Sequence, residues 1–465
     1  MTLWISFSKF PESNNLPIEE FEEASPKLWG LYSWKNKPIR HQPKYDDLEE
    51  LDKTLREIEN APKIVSVEDT HSLKDQLKAC GMGEKMLVHL GDCAETFKDC
   101  NEASIRNRFV LFTLCQLVMS KLTSKKVIKI GRIAGQYAKP RSGPVEEVDG
   151  VTISSYFGDN INSFKATKED RAPKPEKLMK GYHWAVTTYH TIKKLMENKV
   201  CDISKEVLEE RLRDEINIDR DSTDFDEFIE IIKDWADQES EIENLFTSHE
   251  GLLLDYESRL TKLCPVPEET CEKYYNSSAH FLWIGERTNK FNEAHVEYFR
   301  GIGNPIGIKV GPKSDPSEIL RSFKLLNPEN EMGKLSIILR LGAKNVATVL
   351  PPLIKLIKDN KLNVVWISDA VHGNTYVNDW KFKVRHVDTI LAELTEVYKI
   401  LTESGQVFGG IHLEASGDSV TECLGGITRT SEDDLFHNYA TYCDPRLNFV
   451  QTLYVVYKFC KSIEK

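Results

Sequence analysis

The sequence has no run of about 18 apolar residues, so no membrane-spanning helix is expected in it. It has no Cys-x-x-Cys pair, and its ten cysteines are scattered. That distribution speaks against a closed structural zinc module and for reduced thiols in a cytoplasmic protein. A basic surplus is also missing. Against 73 Asp and Glu stand 61 Lys and Arg, a formal net charge of -12, which argues against a nucleic-acid surface. Local basic clusters could still hold small anions. The opening stretch MTLWISFSKFPESNN lacks a signal peptide's unbroken apolar core and a transit peptide's Arg/Ser bias, so neither is expected. What the chain has in quantity is core material. With 40% hydrophobic residues over 465 positions, it can build two or three average domains or one large barrel with insertions.

A repeated construction organises the chain. The apolar run Met86-Leu87-Val88 leads to Gly91-Asp92-Cys93-Ala94-Glu95 and then to a helical pattern at Ala103 to Leu122. Val127 to Ile130 runs into Gly131-Arg132 and a loop carrying Lys139, Arg141 and Ser142. From Leu245 the rhythm is regular, with apolar runs at Leu245–Ser248, His280–Ile284, Ile306–Val310, Leu335–Leu339, Val364–Ser368 and Phe408–Leu413. Each ends in a polar, charged or glycine-bearing stretch. Eight such strands with long connections, and functional groups at their C-terminal ends, predict a (β/α)8 TIM barrel. A doubly wound sheet is the alternative, but it would gather its ligands at one switch point.

Two regions interrupt the rhythm. Residues 1–62 read as an N-terminal arm, rich in turn signals, followed by a helix at Asp46 to Ile58. The catalytic barrel is then expected over 63–465. Within it, 143–243 reads as a mostly helical insertion between strands 2 and 3, with helices at Lys177–Asn198, Ser204–Ile216 and Asp224–Asp237.

Two sets of side chains carry chemistry. Cys93, His372, Glu414 and Asp444 offer a thiolate, an imidazole and two carboxylates, a mixture suited to a divalent transition ion with open positions. Singly these residues say little: a buried cysteine is usually a small hydrophobe, and His372 alone could be structural. The second set is Arg132, Lys139, Arg141, Arg287, Lys309 and Arg340, with Ser142. So many cations at one barrel mouth repel one another unless anions bind there, and more than one phosphate is the natural inference.

These residues lie in motifs that resemble a known family. GDCAETF at Gly91, KIGRIAGQYAKPRS at Lys129, FTSHEGLLLDYE at Phe246 and SAHFLWIGERT at Ser278 are followed by NPIGIKVGP, HGNT, VTECLGG and CDPRLN, the last beginning at Cys443. In this order, from about Trp34 to Leu453, the chain resembles a class II (plant and actinobacterial type) 3-deoxy-D-arabino-heptulosonate-7-phosphate (DAHP) synthase. The resemblance implies a metal-dependent condensation of phosphoenolpyruvate with erythrose 4-phosphate, releasing phosphate at the entry to the shikimate pathway. Carried over by motif, Cys93, His372, Glu414 and Asp444 would be the metal ligands, with Mn²⁺ expected and Co²⁺ or another divalent ion as alternatives. Arg132, Lys139, Glu286, Arg287, Lys309 and Arg340 would hold phosphoenolpyruvate, and Arg141 and Ser142 the sugar phosphate. Lys139 would serve as a proton donor beside Cys93 and His372. The resemblance further implies a homo-oligomer, dimer or tetramer. Chorismate mutase is a partner in part of the family, though nothing in this sequence reads it out.

The chain departs from the family pattern near the site. His89-Leu90-Gly91 stands where Gln-Gly-Gly is usual, Asp369-Ala370-Val371 where Asp-Pro-Met is usual, and Ser416 where a threonine is usual. The alternative functions are a relative that uses another aldose phosphate, such as an amino-sugar phosphate, and a catalytically silent regulatory subunit.

Overall fold

A computed structural model describes residues 29–141, 143–148, 150–197, 227, 228, 230 and 244–464. The described residues from Leu31 onward form one compact unit. All eight expected strands are present: β1 (Lys85–Gly91), β2 (Lys126–Arg132), β3 (Leu245–Glu250), β4 (Phe281–Ile284), β5 (Ile306–Val310), β6 (Leu335–Leu339), β7 (Val365–Ser368) and β8 (Phe408–Glu414). Each pairs in parallel with its neighbour in sequence, and β8 returns to β1 in the register Leu87↔Gly410 to Gly91↔Glu414. The closed ring makes this a TIM barrel and removes the doubly wound alternative.

Strand alternation divides the core in two. Leu87, Ile128, Ile130, Phe246, Phe281, Trp283, Ile338, Val365 and Ile367 fill the barrel interior. They are joined by Leu73, Leu77 and Cys80 of helix α1 (Val67–Gly81), which closes the N-terminal end. The intervening residues, among them Met86, Val88, Leu90, Val127, Leu282, Ile308 and Leu413, pack outward in the helix layer. Leu90, the bulk that departs from the family pattern, therefore lies with Phe109 and Phe112 of helix α2 (Glu102–Thr123) and not in the mouth. Continued to the strand ends, the inward set becomes polar: Arg132, Glu250, Lys309, Arg340, Asp369 and Glu414.

The connections follow from local signals. Helix α2 is capped by Asn101, whose side chain accepts from Ser104 N. Helix α3 (Phe449–Ile463) starts in a capping box of Asn448 and Gln451, which holds the segment after β8 in place. The link from β3 to β4 holds only a short helix, Leu254–Arg259, and a hairpin, Thr261–Pro265 with Glu272–Asn276. The insertion after β2 begins with an antiparallel hairpin, Val145–Val148 with Val151–Ser154, ahead of the first expected helix. Its residues Val145, Glu146, Ile153 and Ser154 alternate like a strand pair, not like a helix. The expected helix at Lys177–Asn198 is present as Glu176–Glu197. Those at 204–216 and 224–237 lie almost entirely outside the described residues. No helix among the described residues is long and apolar enough to cross a membrane.

Candidate active site

The GDCAETF stretch delivers one buried thiol and two brackets. Cys93 leaves the end of β1 fully buried. Beside it, Asp92 accepts from Arg108 at 2.8 Å and from Arg446 at 2.6 Å. Arg446 also grips Glu422, so the loop carrying Asp444 is tied down next to Cys93. Glu95 accepts the backbone N–H groups of Ala134, Gly135 and Gln136, which fixes the loop that follows β2 and carries Lys139. Three distant segments thus meet through two carboxylates.

Glu414, at the end of β8, is the hub. Its Oε1 lies 3.0 Å from Arg132, 3.2 Å from Lys139 and 2.9 Å from His372 Nε2. Its Oε2 is 2.8 Å from Arg385, yet neither atom is aligned for a hydrogen bond. Burial alone would raise the pKa of this carboxyl, but His372, Lys139, Arg385 and Arg132 hold it well below the usual carboxylate range. Asp444 is likewise kept ionised against burial, chiefly by Lys139 and by Lys383 at 2.9 Å. Cys93 goes the other way: burial, then Cys443 and Glu414, push its thiol well up.

Donor atoms of Cys93, Glu414 and Asp444 lie within 4.8 Å of one another, and His372 adjoins them through Glu414. The Lys139 ammonium projects into their midst, 2.7 Å from Asp444 and in contact with Cys93 Sγ. An ammonium seated among a thiol and two carboxylates, one of them also met by the His372 imidazole, occupies the place of a metal cation, and this mixed soft and hard donor set fits a divalent transition ion. Asp369 and His412 form a second acidic and imidazole group with His372. Asp369 engages His372 Nδ1 at 2.8 Å, which leaves Nε2 turned toward Glu414. A carboxylate that holds the far nitrogen of an imidazole orients its ring, so Asp369 aims His372 Nε2 at Glu414.

Next to this cluster opens a cleft of about 250 Å³, lined among others by Lys139, Glu250, Glu286, Arg287, Lys309, Arg340, Lys383 and Asp444. Lys309 sits 3.0 Å from Asp369, Arg340 contacts Glu286, and Arg287 donates to Pro140 O at 3.3 Å. Arg132 lies buried below the cleft. Arg141 stands apart from its lining, 3.4 Å from both Cys443 Sγ and Glu146. Ser142 is outside the described residues. The sequence reading missed Glu250, Asp369, Lys383, Arg385 and His412 as members of the site. Glu250 and Asp369 stand at or just after strand ends and could have been found by the signal that found Glu414, whereas His412 sits in mid-strand. Lys383 and Arg385 come from a hairpin beyond β7, Tyr376–Val377 with Lys383–His386, where no strand-end signal points.

The close packing of the mouth gives a direct test. A Cβ built on Gly311 would sit 1.8 Å from Glu286 Oε1. Gly311→Ala is therefore expected to displace the Glu286–Arg340 pair and weaken anion binding about tenfold, a loss of roughly 1.4 kcal/mol, with little change in melting temperature. An unchanged Michaelis constant for every anionic substrate would separate that pair from binding.

Residues 29–460 match the model of the class-II DAHP synthetase family. A phospho-2-dehydro-3-deoxyheptonate aldolase of Neurospora crassa is 38% identical over 450 residues, covering 91% of this chain and 92% of that protein. Proteins of the same name from Streptomyces coelicolor and Mycolicibacterium smegmatis are 36% and 35% identical, each over 90% of this chain and over 94% and 91% of their own lengths. With matches of that extent along a closed eight-stranded barrel, the chain belongs to the class-II DAHP synthetase family.

Proposed function

We propose that this enzyme condenses phosphoenolpyruvate with erythrose 4-phosphate to give DAHP and inorganic phosphate, with the barrel mouth as its active site. The observation that carries the reading is the meeting of a cation-filled donor cluster with a cleft lined by Lys139, Arg287, Lys309 and Arg340. In this reading Cys93, His372, Glu414 and Asp444 hold a divalent ion, Mn²⁺ or Co²⁺, which when bound supplies Lewis acidity toward the acceptor's aldehyde oxygen.

The remaining work falls to the chain's own groups. Arg132, Lys309, Arg287 and Arg340 hold the carboxylate and phosphate of phosphoenolpyruvate and stabilise positive charge developing at its C2 only through those anions. Glu286 keeps Arg340 in place. The methylene carbon of phosphoenolpyruvate bonds to the aldehyde carbon, and Lys139 gives a proton to the oxygen that becomes an alkoxide. Water then adds at C2, and cleavage of the C2–O bond expels phosphate. Arg141 and Ser142 take the acceptor's phosphate. The outward position of Leu90 supports an unaltered acceptor pocket. We further place the enzyme in the cytoplasm as a homo-oligomer.

The test is phosphate release from phosphoenolpyruvate with a panel of acceptors. Erythrose 4-phosphate is expected to give higher kcat/KM than ribose 5-phosphate, glyceraldehyde 3-phosphate or an amino-substituted tetrose phosphate. A higher value with any of those three would assign the chain a different acceptor. The two anion sites separate in a second assay. Arg340→Ala should raise KM for phosphoenolpyruvate roughly 30-fold, on the order of 2 kcal/mol, and Arg141→Ala should act on KM for the sugar. Equal effects on both substrates would mean that the two sites are misassigned.

A further inference from the structure

Below the mouth, inside the barrel, four groups from different strands form a column that ends on Arg132. Arg132 places its Nη1 2.7 Å from His412 Nε2. His412 Nδ1 is 2.9 Å from His89 Nδ1, and His89 Nε2 is 2.7 Å from Ser248 Oγ. Ser248 in turn donates to the carbonyl of Gly131 at 2.8 Å. His89, Ser248 and His412 are 0% exposed, and the edge of each ring meets Trp283.

Donor chemistry gives this column a single direction. A guanidinium only donates, so His412 Nε2 must be bare and its proton must sit on Nδ1. That proton points at His89 Nδ1, which must therefore accept, leaving the His89 proton on Nε2 to be donated to Ser248. The serine hydroxyl is then directed to Gly131 O, an acceptor only. A second proton on either ring would set donor against donor. A nearby carboxylate oxygen, Asp369 Oδ2, is 3.8 Å from His412 Nε2 and is engaged by Lys309 at 3.0 Å and His372 at 2.8 Å.

We propose that His412, locked in one neutral tautomer by His89 and Ser248, is a positioning residue that aims Arg132 without neutralising it. Arg132 also donates to Asp92 O at 2.9 Å, Cys93 O at 3.1 Å and Glu414 at 3.0 Å. With His412 these contacts use four of its five N–H groups and fix the plane of the guanidinium. A carboxylate in the place of His412 would accept the same hydrogen bond but cancel charge that an anionic substrate needs. An uncharged acceptor avoids that loss. The inference rests on the reading that Arg132 serves the phosphoenolpyruvate site.

The experiment compares two substitutions at His89. Glutamine carries one acceptor and one donor on the same end group, so His89→Gln can accept from His412 and donate to Ser248. Leucine can do neither. His89→Leu should raise KM for phosphoenolpyruvate about tenfold or more while kcat and the sugar's KM stay within about threefold, and His89→Gln should hold all three near wild type. Equal behaviour of the two variants, or parallel changes in every constant, would overturn the proposal. Arg132→Lys separates the two layers. If it leaves KM for phosphoenolpyruvate unchanged, the role given to Arg132 fails; if it raises KM while the His89 variants do not differ, only the column fails. Should His89→Leu not fold, histidine ¹⁵N spectra of the unaltered protein decide. A proton on Nδ1 of His412 and on Nε2 of His89 supports the column, and an imidazolium at either ring overturns it.

Discussion

Cys93→Ala and His372→Ala are each expected to abolish turnover, and a chelator to do the same to the unaltered protein until Mn²⁺ or Co²⁺ is returned. The four donors come from four separate segments. Losing the sulfur or the imidazole removes one of the four donors, which weakens the hold on the ion and changes the geometry of the positions left open to substrate. Neither change should unfold the barrel. Cys93 packs in a small satellite cluster with Tyr156 and Cys443, away from the main core, and a Cys to Ala change there removes a single sulfur atom. His372 is only partly buried in a short turn after β7. Two measurements separate the site from the fold. Added Mn²⁺ should raise the melting temperature of the wild type and not of the variants, since a ligand stabilises only the state that binds it. Full turnover in metal-stripped protein would remove the metal role from these residues.

Lys139→Met should lower kcat by about 10²- to 10⁴-fold, the usual worth of a positioned proton donor, while metal binds at least as tightly as to wild type. The two halves of this expectation come from one geometry. The ammonium lies among Cys93, Glu414 and Asp444, and despite its burial those groups hold its pKa well above the ordinary value, so it is charged there. A cation in that position competes with any ion for the same donors. Methionine keeps most of the length and apolar contact of lysine without the charge. Calorimetric titration with Mn²⁺ reads the first half, and steady-state turnover the second. Weaker metal binding in the variant would show that Lys139 supports the donor cluster and does not compete with it.

The barrel was legible because two independent signals agree: apolar runs of strand length and polar residues at their C-terminal ends. Glu414 and His372 were found that way, and Asp444 through the Asp-Pro turn after the last strand. The interior polar layer was harder. His89 and His412 sit in mid-strand, where a histidine reads as a satisfied core residue until the strand opposite is known. That Leu90 faces the helix layer needed only alternation, counted back from Cys93 and Gly91. Lys383 and Arg385 could not be read, because the hairpin that swings them over the mouth has no periodicity distinguishing it from a surface loop. The hairpin at the start of the insertion was missed for a similar reason: four-residue strands bearing glutamates give too short a pattern to outweigh the helical stretch that follows.

Closing the barrel between its first and last strands also sets an order of events during synthesis. Cys93 and Asp444 are 351 residues apart in the chain. At about 5–20 residues per second, roughly 20 to 70 s pass between the making of one and of the other. Through that interval the early strands can pair and the helix layer can begin to form, but Glu414, Asp444 and the seam that joins them to Cys93 do not yet exist. Contacts of such sequence separation are late and slow to form. A chain halted before residue 408 would keep seven of the eight barrel strands and an unsealed edge on each side of the gap. It would have Cys93 and His372 but neither carboxylate, so the proposed donor set is completed only in the final moments of folding.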